Sequence, residues 1–516
     1  MNRGVSAELA ALMDAAARAV DAADWQRAEP LLRRIVAENP GDASAWHMLA
    51  VIAIRHGRPD EAINLCDRAV RLERSNALFL STLGVAHAEA GHADEATRCF
   101  KRALKERPDY AEAHYNLGKV YAGIGKRIEA ERCYTRARRL DPKRADVLNN
   151  LSLLYCQDGR DEEALALLAQ ARAASPDDET VAINHANALL ATAGPAAAIA
   201  ELTGFVARRP DAAAAHASLG RKLLAEGRYL GGWREYSWRH GRAGRSLPAE
   251  VGRVLLLPAQ GLGDHLFFLR FAGALRARAR HIAFLCPDKL LGVLDSLATL
   301  DEIRSARLPG EFDLELPLDE LPGALGETGT PPPVPMSAEP SRVHAWRARL
   351  ADLGPPPYLA VTWRAGGKRE DAREHGMLGE EPLYKEVKLS ELAAAVRGWR
   401  GSVLIVQRVP LAGECEQFAN ALGRAAHDVS SANDDLAEMA ALLSLVDEYV
   451  GVSNTNMHVR AGLARHARVL VPFPPEFRWM HGGTTTPWFP EFLVYRQTSR
   501  LDWRATLKSL ERDLTH

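Results

Sequence analysis

Small residues recur every 34 positions through the first half of the chain. Ala16, Ala50, Gly84, Gly118, Ser152, Ala186 and Gly220 fall in one register. Ala28, Ala62, Ala96, Ala130, Ala164, Ala198 and Gly232 follow them at a constant interval of twelve. A third register holds Pro40, Pro108, Pro142, Pro176 and Pro210, interrupted by Arg74. A fixed period of this length marks a stacked unit that cannot bury its apolar face alone. Small side chains at two fixed places let paired helices approach closely. The proline closes the second helix before the next unit begins. About seven units run from near residue 9 to near residue 245.

This pattern resembles the tetratricopeptide repeat (TPR). The resemblance implies an α-solenoid over residues 1–245 whose first helices line a groove for an extended peptide, so a protein or peptide partner is expected. Asn116, Asn150 and Asn184 share one repeat position, two before the small-residue slot. An amide offers donors and an acceptor, so such a ladder can grip a peptide backbone without reading its side chains. The alternative is a solvated helix face. The ladder resembles the groove of the protein O-linked N-acetylglucosamine transferases. His47, His114, His185 and His216 lie at expected helix interfaces and are read as packing residues.

From about Gly252 the pattern changes. Short apolar, β-branched runs alternate with amphipathic stretches, the βαβ signature of parallel sheets covered by helices. Strands are expected at 254–257, 281–285, 312–316, 359–363, 402–407, 427–429, 448–452, 469–472 and 493–495. Helices are expected at 266–278, 389–399, 414–422, 436–445, 457–463 and 503–514. A Pro-rich break near 326–357 separates a lobe at 246–350 from one at 351–516. The fold class is therefore an α-solenoid followed by a two-lobed, doubly wound α/β region resembling the GT-B architecture. Ligands of open α/β sheets bind outside the carboxyl ends of the strands, which selects three loops.

The first loop carries Gly261, Gly263 and Asp264. Its glycines allow close backbone approach, and Asp264 falls in the first helical turn as either a general base or a helix cap. The third glycine of a dinucleotide fingerprint is replaced by Leu266. In the second loop, Arg364, Gly366, Gly367 and Lys368 run on to Tyr384 and Lys385. Arg364 and Lys385 suit an anionic diphosphate, whereas Arg369, Asp371 and Arg373 read as a solvated charge run. The third loop, Ser453, Asn454, Thr455, Asn456 and then His458, precedes a helix, whose unpaired N–H groups and positive dipole end attract an anion. Trp363, Phe473, Phe477, Trp479 and Trp488 read as core packing, with stacking on a base as the alternative.

The stretch QGLGDHLFFLRFAGAL is similar to the start of the heptosyltransferase-like glycosyltransferases, which implies a proposed base at Asp264. YKEVKLSEL resembles that family's Lys-x-Trp-Pro-Leu segment and implies a phosphate-binding role for Lys385, with Val387 and Lys388 replacing the tryptophan and proline. VGVSNTNMHVRAGLARHARVLVPF resembles its Asp-Thr-x-x-x-His segment. His458 matches, but Ser453 and Asn454 stand in place of the aspartate and threonine. PPEFRWM, Thr486–Pro490, VYRQ and the junction GWREYSWR at 232–239 resemble bacterial proteins that join TPRs to such a domain.

Together these features point to a transferase that uses a nucleotide sugar and modifies a protein recruited by its repeats. Donor binding is expected at Gly261, Gly263, Arg364, Lys385, Ser453, Asn454, Thr455, Asn456 and His458. No cofactor is expected, and a metal-independent route follows from the lack of a suitable DxD loop. Two alternatives fit the same residues: a non-catalytic TPR scaffold with a degenerate transferase-like domain, and a transferase acting on a surface glycan. Across 516 residues, 65 Lys and Arg stand against 66 Asp and Glu, so a general nucleic-acid coat is not expected. Six scattered cysteines without a CxxC pair argue against a disulfide framework or zinc site. No apolar run approaches the roughly 20 residues of a membrane span, and a cytoplasmic setting is expected.

Overall fold

The computed structural model describes residues 2–294, 297–307, 310–365, 385–499 and 502–515. Fourteen helices in seven pairs follow the repeat. They are α1 (Asn2–Asp21), α2 (Trp25–Glu38), α3 (Ala43–Arg55), α4 (Pro59–Leu72), α5 (Ala77–Glu89), α6 (Ala93–Glu106) and α7 (Ala111–Gly123). They continue with α8 (Arg127–Leu140), α9 (Ala145–Gln157), α10 (Asp161–Ala174), α11 (Glu179–Thr192), α12 (Pro195–Arg208), α13 (Ala213–Ala225) and α14 (Tyr229–Tyr236). Asp24, Asp42 and Asp178 cap helices by accepting a backbone N–H three residues on.

Helix pairing rests on volume matching. A Cβ added at Gly84 would lie 2.8 Å from the Phe100 ring, and one at Gly118 would lie 2.6 Å from the Tyr134 ring. At Gly220 it would collide with the backbone of Tyr236. Each partner stands sixteen residues after its glycine. Where the slot holds Ala16, Ala50, Ser152 or Ala186, the residue sixteen on is Leu32, Cys66, Leu168 or Leu202, all buried. Gly84 and Gly118 thus face an aromatic ring, Gly220 faces backbone, and alanine or serine stands where the residue sixteen on is smaller. Close packing at one repeated interhelical spacing requires such compensation.

The chain divides into two compact units, Met1–Tyr155 with Glu163–Pro176, and Cys156–Glu162 with Asp177–His516. The repeat pattern ends near 245, yet its last two pairs belong to the unit that holds the sheets. The reason is apolar: the Trp233 ring on α14 lies 5.7 Å from Phe271, 5.6 Å from Phe477 and 5.9 Å from Trp488.

Two parallel sheets follow. β1 (Val251–Leu257), β2 (Ala279–Leu285), β3 (Glu302–Arg304) and β4 (Leu314–Pro317) pair in the order β3-β2-β1-β4. β5 (Tyr358–Thr362), β6 (Ser402–Ile405), β7 (His427–Asp428), β8 (Glu448–Val452), β9 (Ala467–Val471) and β10 (Phe492–Arg496) pair in the order β10-β9-β8-β5-β6-β7. The helices are α15 (Leu262–Phe268), α16 (Ala272–Leu275), α17 (Asp288–Leu294), α18 (Leu321–Leu325) and α19 (Pro340–Leu353). The remainder are α20 (Leu389–Ala395), α21 (Glu414–Leu422), α22 (Leu436–Leu445), α23 (Thr455–Gly462) and α24 (Arg504–Thr515).

Four of these elements, β3, α17, α18 and α19, were not expected. Instead of remaining an open break, the Pro-rich stretch leads into α19, because Pro340 stands at a helix start, where its missing N–H costs nothing. The helix expected at 266–278 begins at Leu262 and is interrupted by a 3-10 turn at Leu269–Phe271.

Gln407, fully buried beyond β6, shapes the strand ends. Its Oε1 accepts from Thr362 Oγ1 and from the Trp363 and Arg364 amides at 2.9, 3.1 and 3.0 Å. Its Nε2 donates to the Arg364 and Arg408 carbonyls at 3.0 and 3.1 Å. One amide side chain thus splices the loops after β5 and β6.

The matched volumes yield a sign-reversing test. Gly118→Ala should lower stability, because crowding Tyr134 costs about 1–3 kcal/mol against about 1 kcal/mol gained in helix propensity. In a Tyr134→Leu background the same change should be neutral or stabilising, as read from urea midpoints of the four proteins.

Candidate functional site

The loops that follow β1, β5, β6, β8 and β9 meet at one cleft of about 500 Å³ inside the second unit. Gly261, Gly263 and Asp264 line it after β1, Arg364 and Lys385 after β5, and Arg408 after β6. Ser453, Asn454, Thr455, Asn456 and His458 line it after β8, and Glu476 and Arg478 after β9. Asn187, Ser218, Arg221 and Lys222 reach it from α11 and α13. Each donor or base position expected from sequence therefore borders the same space. Gly366, Gly367, Lys368, Arg369, Asp371, Arg373 and Tyr384 lie outside the described residues.

Asp264 is the third residue of α15, whose N-cap is Gly261. Its carboxylate accepts from the Arg478 guanidinium, and its side chain keeps 34% exposure. Burial works to raise its pKa, but the charge and hydrogen bond of Arg478, with His458 and Lys385 nearby, bring it down to about 2. In the same way Lys385 pairs with Glu476. Burial opposes ionisation of Glu476, yet the charges of Lys385 and Arg478 hold it below the usual carboxylate range.

Arg364 departs from its expected role. It is 8% exposed, and Glu414 takes both guanidinium nitrogens at 2.7 and 3.2 Å. It also donates to the Val409 carbonyl at 3.3 Å. Its charge is matched within the protein, so it braces the loop after β6.

The α23 loop is internally bonded. Ser453 donates to Glu476 at 3.0 Å. Asn454 caps α23, accepting the Met457 amide at 3.3 Å, and donates to the Tyr449 hydroxyl at 3.2 Å. Asn456 donates to Asn433 at 3.3 Å. His458 is 5% exposed, and its buried Nδ1 has no hydrogen-bond partner among the described residues. Burial, reinforced by the charges of Arg478 and Arg270, holds its imidazole well below the ordinary value, so the ring is neutral near pH 7. A Cβ at Gly263 would sit 3.0 Å from His458 Cδ2, so the glycine lets α15 and α23 touch.

The aromatics split from the chemistry. Trp363 stacks on Phe418 at 5.3 Å, and Trp479 stacks on Phe489 at 5.1 Å. Trp488 is fully buried. Of the five, Phe477 lines the cleft. In the first unit, Asn116 donates to Glu112 and Asn150 to the Tyr115 hydroxyl, both at 3.0 Å. Asn184 on α11 is half-buried in the second unit. His47 bonds Thr82 at 2.9 Å and stacks on Phe79. All six cysteines are free thiols. Among the described residues no group of three or more His, Cys, Asp or Glu is placed to hold a metal, and no helix is long and apolar enough to cross a membrane.

Sequence reasoning assigned no role to Arg478, Glu476, Arg408 or Lys222. The first two lie in PPEFRWM, where nothing in the local spacing announces a charge pair with residues more than 90 positions away. Lys222 did carry a signal: it is a charge in a repeat position that the five preceding repeats fill with an apolar residue.

Tetratricopeptide repeat family models match residues 19–83, 88–125, 111–144, 144–175 and 183–231. The N-terminal part of the chain thus carries tetratricopeptide repeats, which bind peptide or protein partners and imply a scaffold for protein interaction. Among solved structures, it is similar to a tetratricopeptide repeat protein from Parabacteroides merdae, at 20% identity over 44% of this chain and 91% of that one, TM-score 0.37. A thermophilic TPR protein in Thermus thermophilus is 26% identical over 35% of this chain and 99% of that one, TM-score 0.31. Pseudomonas aeruginosa PilF is 17% identical over 40% and 95%, TM-score 0.36. No curated protein matches the chain.

The Asp264 pairing has a pH signature. A carboxylate whose pKa falls from 3.8 to about 2 on folding stabilises the protein above pH 4 and loses that contribution as the pH drops toward 2. Asp264→Asn, which leaves Arg478 unpaired, should melt below wild type at pH 7. The gap should close between pH 4 and 2, as followed by calorimetry.

Proposed function

We propose that residues 246–516 act as a GT-B-like glycosyltransferase that draws on a nucleotide sugar and modifies a protein held by the repeats. The supporting observation is the charge of the cleft. Arg221, Lys222, Lys385, Arg408 and Arg478 line it against Asp264 and Glu476, while Arg239 and Arg364, which also line it, are matched by Asp319 and Glu414. In a chain of net charge −1, this concentration of cations beside the start of α23 suits a diphosphate.

On this proposal the donor diphosphate rests at the α23 N-terminus and competes for Lys385 and Arg478, drawing them from Glu476 and Asp264. Released from its cation, Asp264 regains basicity and accepts the proton of the acceptor hydroxyl. The hydroxyl oxygen bonds the anomeric carbon as the sugar–phosphate bond breaks, and the nucleoside diphosphate leaves with the bonding pair. Lys385, Arg478 and the helix dipole stabilise that leaving charge. Arg364 takes part by bracing the loop that carries Arg408.

A second class of function has its own support. Ser453 and Asn454, standing where the resembled family has Asp and Thr, are used internally by Glu476 and by the α23 cap. That arrangement fits a scaffold whose transferase-like domain has lost its chemistry.

Lys385→Ala should slow transfer by roughly 10²–10³, with wild-type activity persisting in a chelator. Intact-mass analysis of candidate protein clients supplies the assay. Turnover unaffected by the substitution would remove Lys385 from the mechanism. If no member of a UDP, GDP, ADP and CMP panel raises the melting temperature, the scaffold is favoured.

A further inference from the structure

One repeat position is out of character. The first helices of the five preceding repeats place Ile52, Ala86, Val120, Leu154 and Ala188 at it, all buried and apolar, whereas the outermost repeat has the exposed Arg18. In the last repeat the same position is Lys222, only 7% exposed. Its Nζ donates to Asn187 Oδ1 at 2.7 Å and to Ser218 Oγ at 3.3 Å. Both partners are themselves more than nine-tenths buried, and all three side chains line the cleft. Ser218 occupies the position that holds Asn116, Asn150 and Asn184 in earlier repeats. The polar pair Asn187 and Ser218 is thus assembled around an ammonium group where stacking alone calls for a hydrocarbon.

Removing an ammonium from water costs free energy, which makes it a poor choice for packing helix on helix. A repeat that departs from its apolar pattern at a position facing a ligand-sized cavity departs from it for binding rather than for stacking. We infer that Lys222, oriented by Asn187 and Ser218, binds an oxyanion of the ligand, a phosphate or carboxylate, so that the last repeat is part of the binding site as well as its support. The inference rests on the anion-binding reading of the cleft, but not on which reaction occurs there.

The other repeats supply the test. Lys222→Met and Lys222→Leu restore the apolar pattern, so in the full chain each should melt at or above wild type. Affinity for pyrophosphate or for a Glu-rich peptide, measured by calorimetric titration, should fall about tenfold or more, as expected for one charge-assisted hydrogen bond. Loss for pyrophosphate puts Lys222 on the donor side, and loss for the peptide puts it on the acceptor side. A lower melting temperature in both variants makes the lysine structural and overturns the inference. So does affinity for both probes that does not change, absence of binding included. Nucleoside diphosphates binding no tighter than pyrophosphate would count against the transferase while leaving Lys222 in place.

Discussion

Trp233 and Tyr236, from the short last helix of the repeats, are enclosed by Phe268, Phe271, Phe477 and Trp488. Full burial of one such ring contributes about 1.5–3 kcal/mol, and edge-to-face contact adds about 0.5–1.5 kcal/mol. Several rings in one cluster make the joint a core rather than a docked surface. Phe268 and Phe271 come from the segment after β1, while Phe477 and Trp488 come from the segments after β9. The last repeat, the first sheet and the second sheet are therefore held by one apolar contact. Without it α13 would have no fixed place over the strand ends, and the cleft would lack a wall.

Within that frame the charges are set in low-dielectric surroundings and arrive already paired. Asp264 with Arg478, Lys385 with Glu476, and Arg364 with Glu414 each match a buried or half-buried cation to a carboxylate. A pair whose carboxylate comes from the protein is open to exchange for a ligand's oxyanion when it borders the cleft. A pair sealed beneath a loop is structural, because removing one partner leaves an uncompensated buried charge. Arg364 borders the cleft too, but its two hydrogen bonds to Glu414 and a third to the Val409 carbonyl commit it to structure; Lys385 and Arg478 are of the first kind. This difference separates bracing from binding among residues that look alike in composition.

Much of the architecture was legible beforehand. The 34-residue register located seven helix pairs, and the apolar runs located every strand except β3, which has three half-buried residues and no periodicity to betray it. Helix α19 was hidden by its own proline, a breaker inside a helix but a favourable first residue. The loops after β1, β5 and β8 were found because ligand sites follow the carboxyl ends of parallel strands, and their glycines and polar side chains marked the positions. Glu476 and Arg478 escaped because their segment gains meaning only when β9 is laid beside β8.

The sequence by itself determined the repeat, the switch to parallel sheets and the loops that end at their carboxyl edges, since these follow from periodicity and local backbone chemistry. It also specified the volume matching between Gly84 or Gly118 and the aromatic sixteen residues on, a pairing contained within one repeat. Only the tertiary structure decided which cations are committed and which face the cleft, and that Lys222 joins Asp264 and Lys385 there. Charge pairing depends on distances between segments far apart in the chain, and no spacing rule along the chain encodes those distances.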